Sequence, residues 1–184
     1  MSLVSNKNLE GSKKAGDRFS IEINSTDLEF RDRHVLGRQV LSDAGYNPPD
    51  DHVLIRSLDQ GAVSIGLDET VDLGQPGQEI FYAFASDRIY RLTIDGRGYE
   101  WGEATITEPA LRKIAKVDED EDLVLEKQDE PDLVLDADAI VNLDEKGTEH
   151  LRVTKKLVTV CIDDVEKEIP RGVYTTESLI KILG

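Results

Sequence analysis

Asp87–Val117 reads DRIYRLTIDGRGYEWGEATITEPALRKIAKV, and the order of signals inside it decides the fold. Tyr90, Leu92 and Ile94 alternate with Arg91 and Thr93, the period-two pattern of a strand with one apolar face. Asp95-Gly96 supplies the residue types of a two-residue hairpin turn. Tyr99 and Trp101 carry the return strand. Thr107 is placed to cap a helix whose early Pro109 costs little, because the first helical N–H groups have no partner in any case. Leu111, Ile114 and Ala115 fall on one stripe of that helix.

The same succession begins at Phe19 and again at Leu157. In the first copy Phe19, Ile21 and Ile23 alternate, Leu28 and Phe30 return after a Ser-Thr-Asp turn, and Val40, Leu41 and Ala44 form the helix face, with Gly45 as its stop. In the third, Val158, Val160 and Ile162 alternate, Asp163-Asp164 turns, and Val165, Lys167 and Ile169 return. Leu179, Ile180, Ile182 and Leu183 form its helix face. Superposing Ile23, Ile94 and Ile162 brings Thr107 onto Thr175 and Gly45 onto Gly184, which establishes an internal repeat.

Two copies continue past the helix. His52–Arg56 and Leu123–Leu125 read as short strands; Val63 with Ile65 and Leu133–Leu135 offer a second; Ile80–Phe84 and His150–Val153 close the units. An order of strand, strand, helix, strand, strand is satisfied most economically by a mixed sheet folded over one helix, with a later strand parallel to the first. The expected fold class is therefore α+β: tandem β-grasp domains, two complete plus a half repeat (strand, strand, helix) at the C-terminal end. The boundaries are a disordered tail at 1–18, a first domain at 19–85, a second at 86–155, and a truncated third at 156–184.

Composition narrows the function classes. Thirty-eight acidic against 22 basic side chains give a formal charge of -16, the wrong sign for a nucleic-acid binder. No apolar run reaches the roughly 20 residues of a membrane helix. One cysteine excludes an internal disulfide, so the expected compartment is the cytoplasm. Cys161 alternates with Val160 and Ile162 without a local histidine to activate it, and reads as an ordinary strand residue. His34, His52 and His150 lack ligand spacing. Asp118–Asp122 fails the EF-hand pattern, with Leu123 where Gly is needed and Asp129 where Glu is needed, and reads as a solvated acidic loop. The glycines show no phosphate-cradling spacing. The expectation is no catalytic, cofactor-binding or metal residue, and no enzyme activity.

The paired D-G and S-T-D turns, the V-L-I and L-V-L strands, and the D-E-T-V-D-L and D-A-I-V-N-L segments resemble the bacterial multiubiquitin-domain proteins over Phe19–Gly184. The resemblance implies a ubiquitin-like protein modifier. Its implied partners are ubiquitin-activating-like and conjugating-like enzymes and a JAB-type peptidase, in systems linked to phage defence. A modifier of that kind ends in a flexible tail with a terminal glycine, whereas Gly184 aligns with the helix stop Gly45. The third unit thus lacks its second half, and the native chain is expected to continue. Two alternatives stay open: completion by another molecule, giving a homo-oligomer, or packing on the second unit. The candidate self-association surface is Leu157, Val160, Ile162, Ile169, Leu179 and Ile182. A scaffold that assembles through it is the alternative function.

Overall fold

In the first unit, β1 (Phe19–Ile23) and β2 (Thr26–Phe30) form a hairpin, followed by β3 (His34–Leu36), α1 (Gly37–Asp43), β4 (Val53–Leu58), β5 (Gly61–Ile65), β6 (Thr70–Asp72) and β7 (Glu79–Phe84). The computed structural model describes residues 18–74, 78–144, 147–162 and 165–183. The expected tail therefore lies outside the described residues except for Arg18, which pairs with Glu29 at 2.6 Å. The Asp163-Asp164 turn and Gly184 also lie outside them.

The second unit repeats the plan with β8 (Tyr90–Ile94), β9 (Arg97–Trp101), β10 (Thr105–Thr107), α2 (Glu108–Ala115), β11 (Glu121–Leu125), β12 (Leu133–Val134), β13 (Ile140–Asn142) and β14 (Glu149–Lys155). In both units the last long strand returns parallel to the first: Ile23 stands opposite Phe81, and Ile94 opposite Leu151. This is the β-grasp order, and each helix lies across its own sheet. The third unit consists of a hairpin, β15 (Leu157–Ile162) with β16 (Val165–Pro170), and a helix, α3 (Thr176–Leu183).

Local chemistry accounts for these elements. Asp95 and Gly96 take φ of 50° and 74°, the primed turn whose twist suits a hairpin. The first copy uses Asn24 and Ser25, at 46° and 66°, in place of the Ser-Thr-Asp turn read from sequence; Thr26 and Asp27 already pair in β2. Asparagine tolerates the left-handed region better than most residues, and here Asn24 Nδ2 also fastens the turn to β7 by donating to the Ala83 carbonyl at 2.8 Å. The Thr107 hydroxyl accepts from the Ala110 N–H, and Thr175 accepts from the Ser178 N–H at 3.2 Å.

Three features depart from the sequence reading. The three-residue strands β3 and β10 pair with β6 and β13 as small second sheets, which the alternation was too short to reveal. The Arg33 guanidinium grips both Asp72 oxygens beside the first of these, at 2.7 and 2.8 Å, and holds the Asp72 carboxyl well below the usual carboxylate range. Within the expected acidic loop, Glu121 and Asp122 are strand residues of β11. Lys155 balances Glu121 and Asp120 at 2.9 and 3.1 Å, while Arg112 donates to the Asp118 and Glu121 carbonyls at 2.9 Å each.

The third departure is the largest. The two sheets are one ten-stranded sheet, in the order β12-β11-β14-β8-β9-β5-β4-β7-β1-β2, joined where β5 meets β9 in parallel at Ala62 and Tyr99. Successive residues of a strand point to opposite faces. Leu54, Phe81 and Ala83 pack with Val40 and Leu41 of α1, whereas Ile55, Tyr82 and Phe84 pack with Leu111 and Ile114 of α2. The two helices therefore cover opposite faces, and the core of the second unit extends over the back of the first.

Candidate recognition surfaces

A β-grasp helix covers one face of its sheet and leaves the other without a cover of its own. In the first unit that face carries Val53, Ile55, Ala62, Ile80, Tyr82 and Phe84, and it is covered by the second unit. Trp101 is the centre of the contact, 5% exposed, with its ring 4.6 Å from Phe84 and 5.2 Å from Tyr82. Its indole N–H donates to the Thr105 carbonyl at 3.2 Å. Gly102 lets Phe84 approach: a Cβ there would stand 2.3 Å from the Phe84 ring. At the joint itself Gly61 takes φ +120°, and a Cβ on it would stand 2.6 Å from the Gly98 carbonyl oxygen, so the two backbones meet as closely as glycine permits.

Charges rim this contact. Lys113 of α2 reaches Glu22 at 2.7 Å and Ser25 at 3.0 Å, and Lys116 reaches Asp59 at 2.8 Å. Burial pushes the Tyr82 phenol up to about 12, with the nearby Glu22 charge acting in the same direction. The Tyr82 hydroxyl has no hydrogen-bond partner among the described residues.

Along β14 the corresponding face of the second unit is polar, although Val124 and Val134 beside it are not. By strand register His150 replaces Ile80, Arg152 replaces Tyr82 and Thr154 replaces Phe84. His150 is hydrogen-bonded to Thr93 at 2.7 Å, and Arg152 pairs with Asp132 at 3.1 Å. Beside them a groove of about 340 Å³ runs over Gly98, between Val63 and Thr93. Burial acts against the charge of Glu100 on its edge, but the Ser64 N–H at 2.7 Å and Arg91 at 3.2 Å still hold that carboxyl below its ordinary value.

The third unit exposes the most apolar surface. Leu157 is 59% exposed, Ile182 is exposed, and Val160 and Leu179 are half-buried. Ile162 lies opposite Val165 in the hairpin, with its side chain outside the described residues. Ile169 does not belong to the expected surface: it is 4% exposed and points inward from β16. Val158, Val165, Val173 and Ile180 are exposed and enlarge the surface beyond the residues singled out from sequence. No residue of α3 is buried: of the expected helix face Leu179 and Leu183 are half-buried, whereas Ile180 and Ile182 are exposed.

Two successive β-grasp units with the same strand order and turn chemistry are thus joined in one chain. The multiubiquitin family model matches residues 19–86 and again 90–156. The chain belongs to the multiubiquitin family. No curated protein matches this multiubiquitin chain. It is a ubiquitin-like tandem-repeat protein.

The remaining candidates stay apart in this multiubiquitin fold. Cys161 is an exposed free thiol on β15. His34 lies in β3, His52 ends the 3-10 turn at Pro49–Asp51 with its Nδ1 donating to the Pro48 carbonyl, and His150 lies in β14. Among the described residues no group of three histidine, cysteine or acidic side chains could hold a metal ion. No helix among them is long and apolar enough to cross a membrane. Leu54 and Leu125 are buried, as a small β-grasp core requires.

Proposed function

We propose that this ubiquitin-like chain is a protein modifier, or the precursor of one, handled by a ubiquitin-activating and conjugating-like cascade and a JAB-type peptidase. The observation that carries the reading is the pair of multiubiquitin repeats, each with the complete β-grasp order. In this reading the mature C-terminal carboxylate attacks the α-phosphate of ATP and releases pyrophosphate. A cysteine thiol of the activating enzyme then displaces AMP to form a thioester, and a target amine displaces the thiol. The chain contributes a folded surface and the tail carboxylate that is adenylated; the nucleophiles of the later transfers, thiol and amine, belong to other proteins. Phage defence and a cytoplasmic setting follow from the same reading.

The test is recovery of the tagged chain from its native cells under denaturing conditions. The expected result is a ladder of heavier adducts carrying isopeptide-linked peptides, lost when the activating enzyme is inactivated. A tagged chain found only at its own mass, in cells expressing the active cascade, overturns the proposal.

A second reading is a non-covalent scaffold, favoured by one observation: the exposed Leu157, Val165, Val173 and Ile180 of the third unit. It predicts assembly that grows with protein concentration and is abolished by Leu157→Lys together with Ile180→Lys.

A further inference from the structure

We infer that the first two units form one obligate doublet: the bare sheet face of the first is reserved for the second, and the chain is not divided between them. Three independent features of the joint lead there. The first is the sheet itself, which crosses the boundary at Ala62 and Tyr99 without an edge on either side. Excising one unit leaves the other with an unpaired strand there.

The second is composition along matched strands. After Glu79, β7 runs Ile80-Phe81-Tyr82-Ala83-Phe84 without a charged residue, and these five divide between the two cores. β14, its counterpart, reads Glu-His-Leu-Arg-Val-Thr-Lys and alternates. A strand apolar on both sides is a strand buried on both sides, so the first unit's sheet is built for a cover that the second unit's sheet is not. The third feature is the connection. Residues 85–89 separate β7 from β8, and Phe84 and Tyr90 at its two ends pack into the same core. Drawing this segment into the cleft of a peptidase as an extended strand requires pulling Phe84 from Trp101. No glycine lies between Phe84 and Tyr90 to provide the narrow backbone of a modifier terminus.

Enzymes that act on the chain therefore receive the pair, and a partner that reads the face of Ile55, Tyr82 and Phe84 finds it occupied. The statement about processing rests on the modifier reading; the statement about folding does not. The folding test uses the whole chain in increasing urea, following hydrogen exchange at α1 and α2 and the fluorescence of Trp101, the single tryptophan. All three are expected to report one midpoint. Loss of protection in one helix while the other stays protected overturns the doublet. The processing test is intact-mass analysis of the chain co-expressed with its active peptidase. Any species ending between Phe84 and Tyr90 overturns the proposal, and mass changes confined to other positions support it. Failure to find target adducts, by contrast, bears only on the modifier reading.

Discussion

Phe84→Ala is the substitution that most sharply separates two fused units from two tethered ones. Phe84 belongs by sequence to the first unit, yet its ring packs on Trp101 and against the bare backbone of Gly102 in the second. Deleting a buried phenylalanine costs about 3–5 kcal/mol when the neighbours cannot collapse into the space. Gly102 has no side chain to move in, and Trp101 is held by its bond to the Thr105 carbonyl, so the cavity persists. The lost aromatic pairing contributes about 0.5–1.5 kcal/mol of that total. The variant keeps Trp101 as a reporter located in the other unit. With a urea dependence of about 1–3 kcal/mol per molar, the tryptophan transition is expected to move down by about 1–5 M. An unchanged tryptophan transition, with destabilisation visible only by exchange in α1, refutes the reasoning, because it makes Phe84 a residue of the first unit alone.

Other perturbations test the same joint and its supports. Gly102→Ala places a methyl group 2.3 Å from the Phe84 ring and is expected to cost about 1–3 kcal/mol in thermal unfolding. Arg112→Ala strands Glu108, which is 3% exposed and 2.5 Å from the guanidinium, and releases two carbonyls; a loss of about 3–5 kcal/mol is expected, against a smaller one for Glu108→Gln. Tyr82→Phe removes a buried hydroxyl that bonds to none of the described residues, so stability at neutral pH is expected to change by less than about 1 kcal/mol. Its effect is on pH dependence. A phenol raised to about 12 in the folded chain stabilises it fully below the ordinary value near 10, and that contribution is lost as pH rises from about 10 through about 12. The variant is expected to lose the part of the alkaline destabilisation that falls in this window, measured by urea midpoints across pH.

The hairpins and helices were legible because each is specified locally. Alternation in Tyr90–Ile94, the left-handed turn at Asp95-Gly96 and the Thr107 cap act within a few residues of themselves, and the structure places all three as read. That a later strand returns parallel to the first was legible from the crossover rule; that it is the last strand, and not the one directly after the helix, was not. β3 and β10 were not legible, because three residues hold too few alternations to exceed noise. Nor was the burial of Ile169, which alternates like its exposed neighbours. The shared core had a signal that period counting passes over: the unbroken apolar run of β7. Reading it as one half-buried strand leaves Ile80, Tyr82 and Phe84 without a cover, and that surplus was the trace of the second unit.

The same surplus explains why the joint is not repeated at the next boundary. A third unit docked as the second is would need an apolar face on β14, and register puts His150, Arg152 and Thr154 there. It would also need room to swing across that face. Residues 85–89 give the second unit such room, whereas Lys156 alone separates β14 from β15. Lys156 is further tied down, its N–H donating to the Asp120 carbonyl at 2.9 Å and its ammonium to that of Glu119 at 2.7 Å. The third hairpin is thereby held at the end of β14 and kept off its face. That position leaves Leu157 and Val165 bare, as it leaves bare the groove over Gly98. Exposure in the third unit and polarity in the second are thus one fact seen from two sides: the apolar seam that welds the first pair ends at β14.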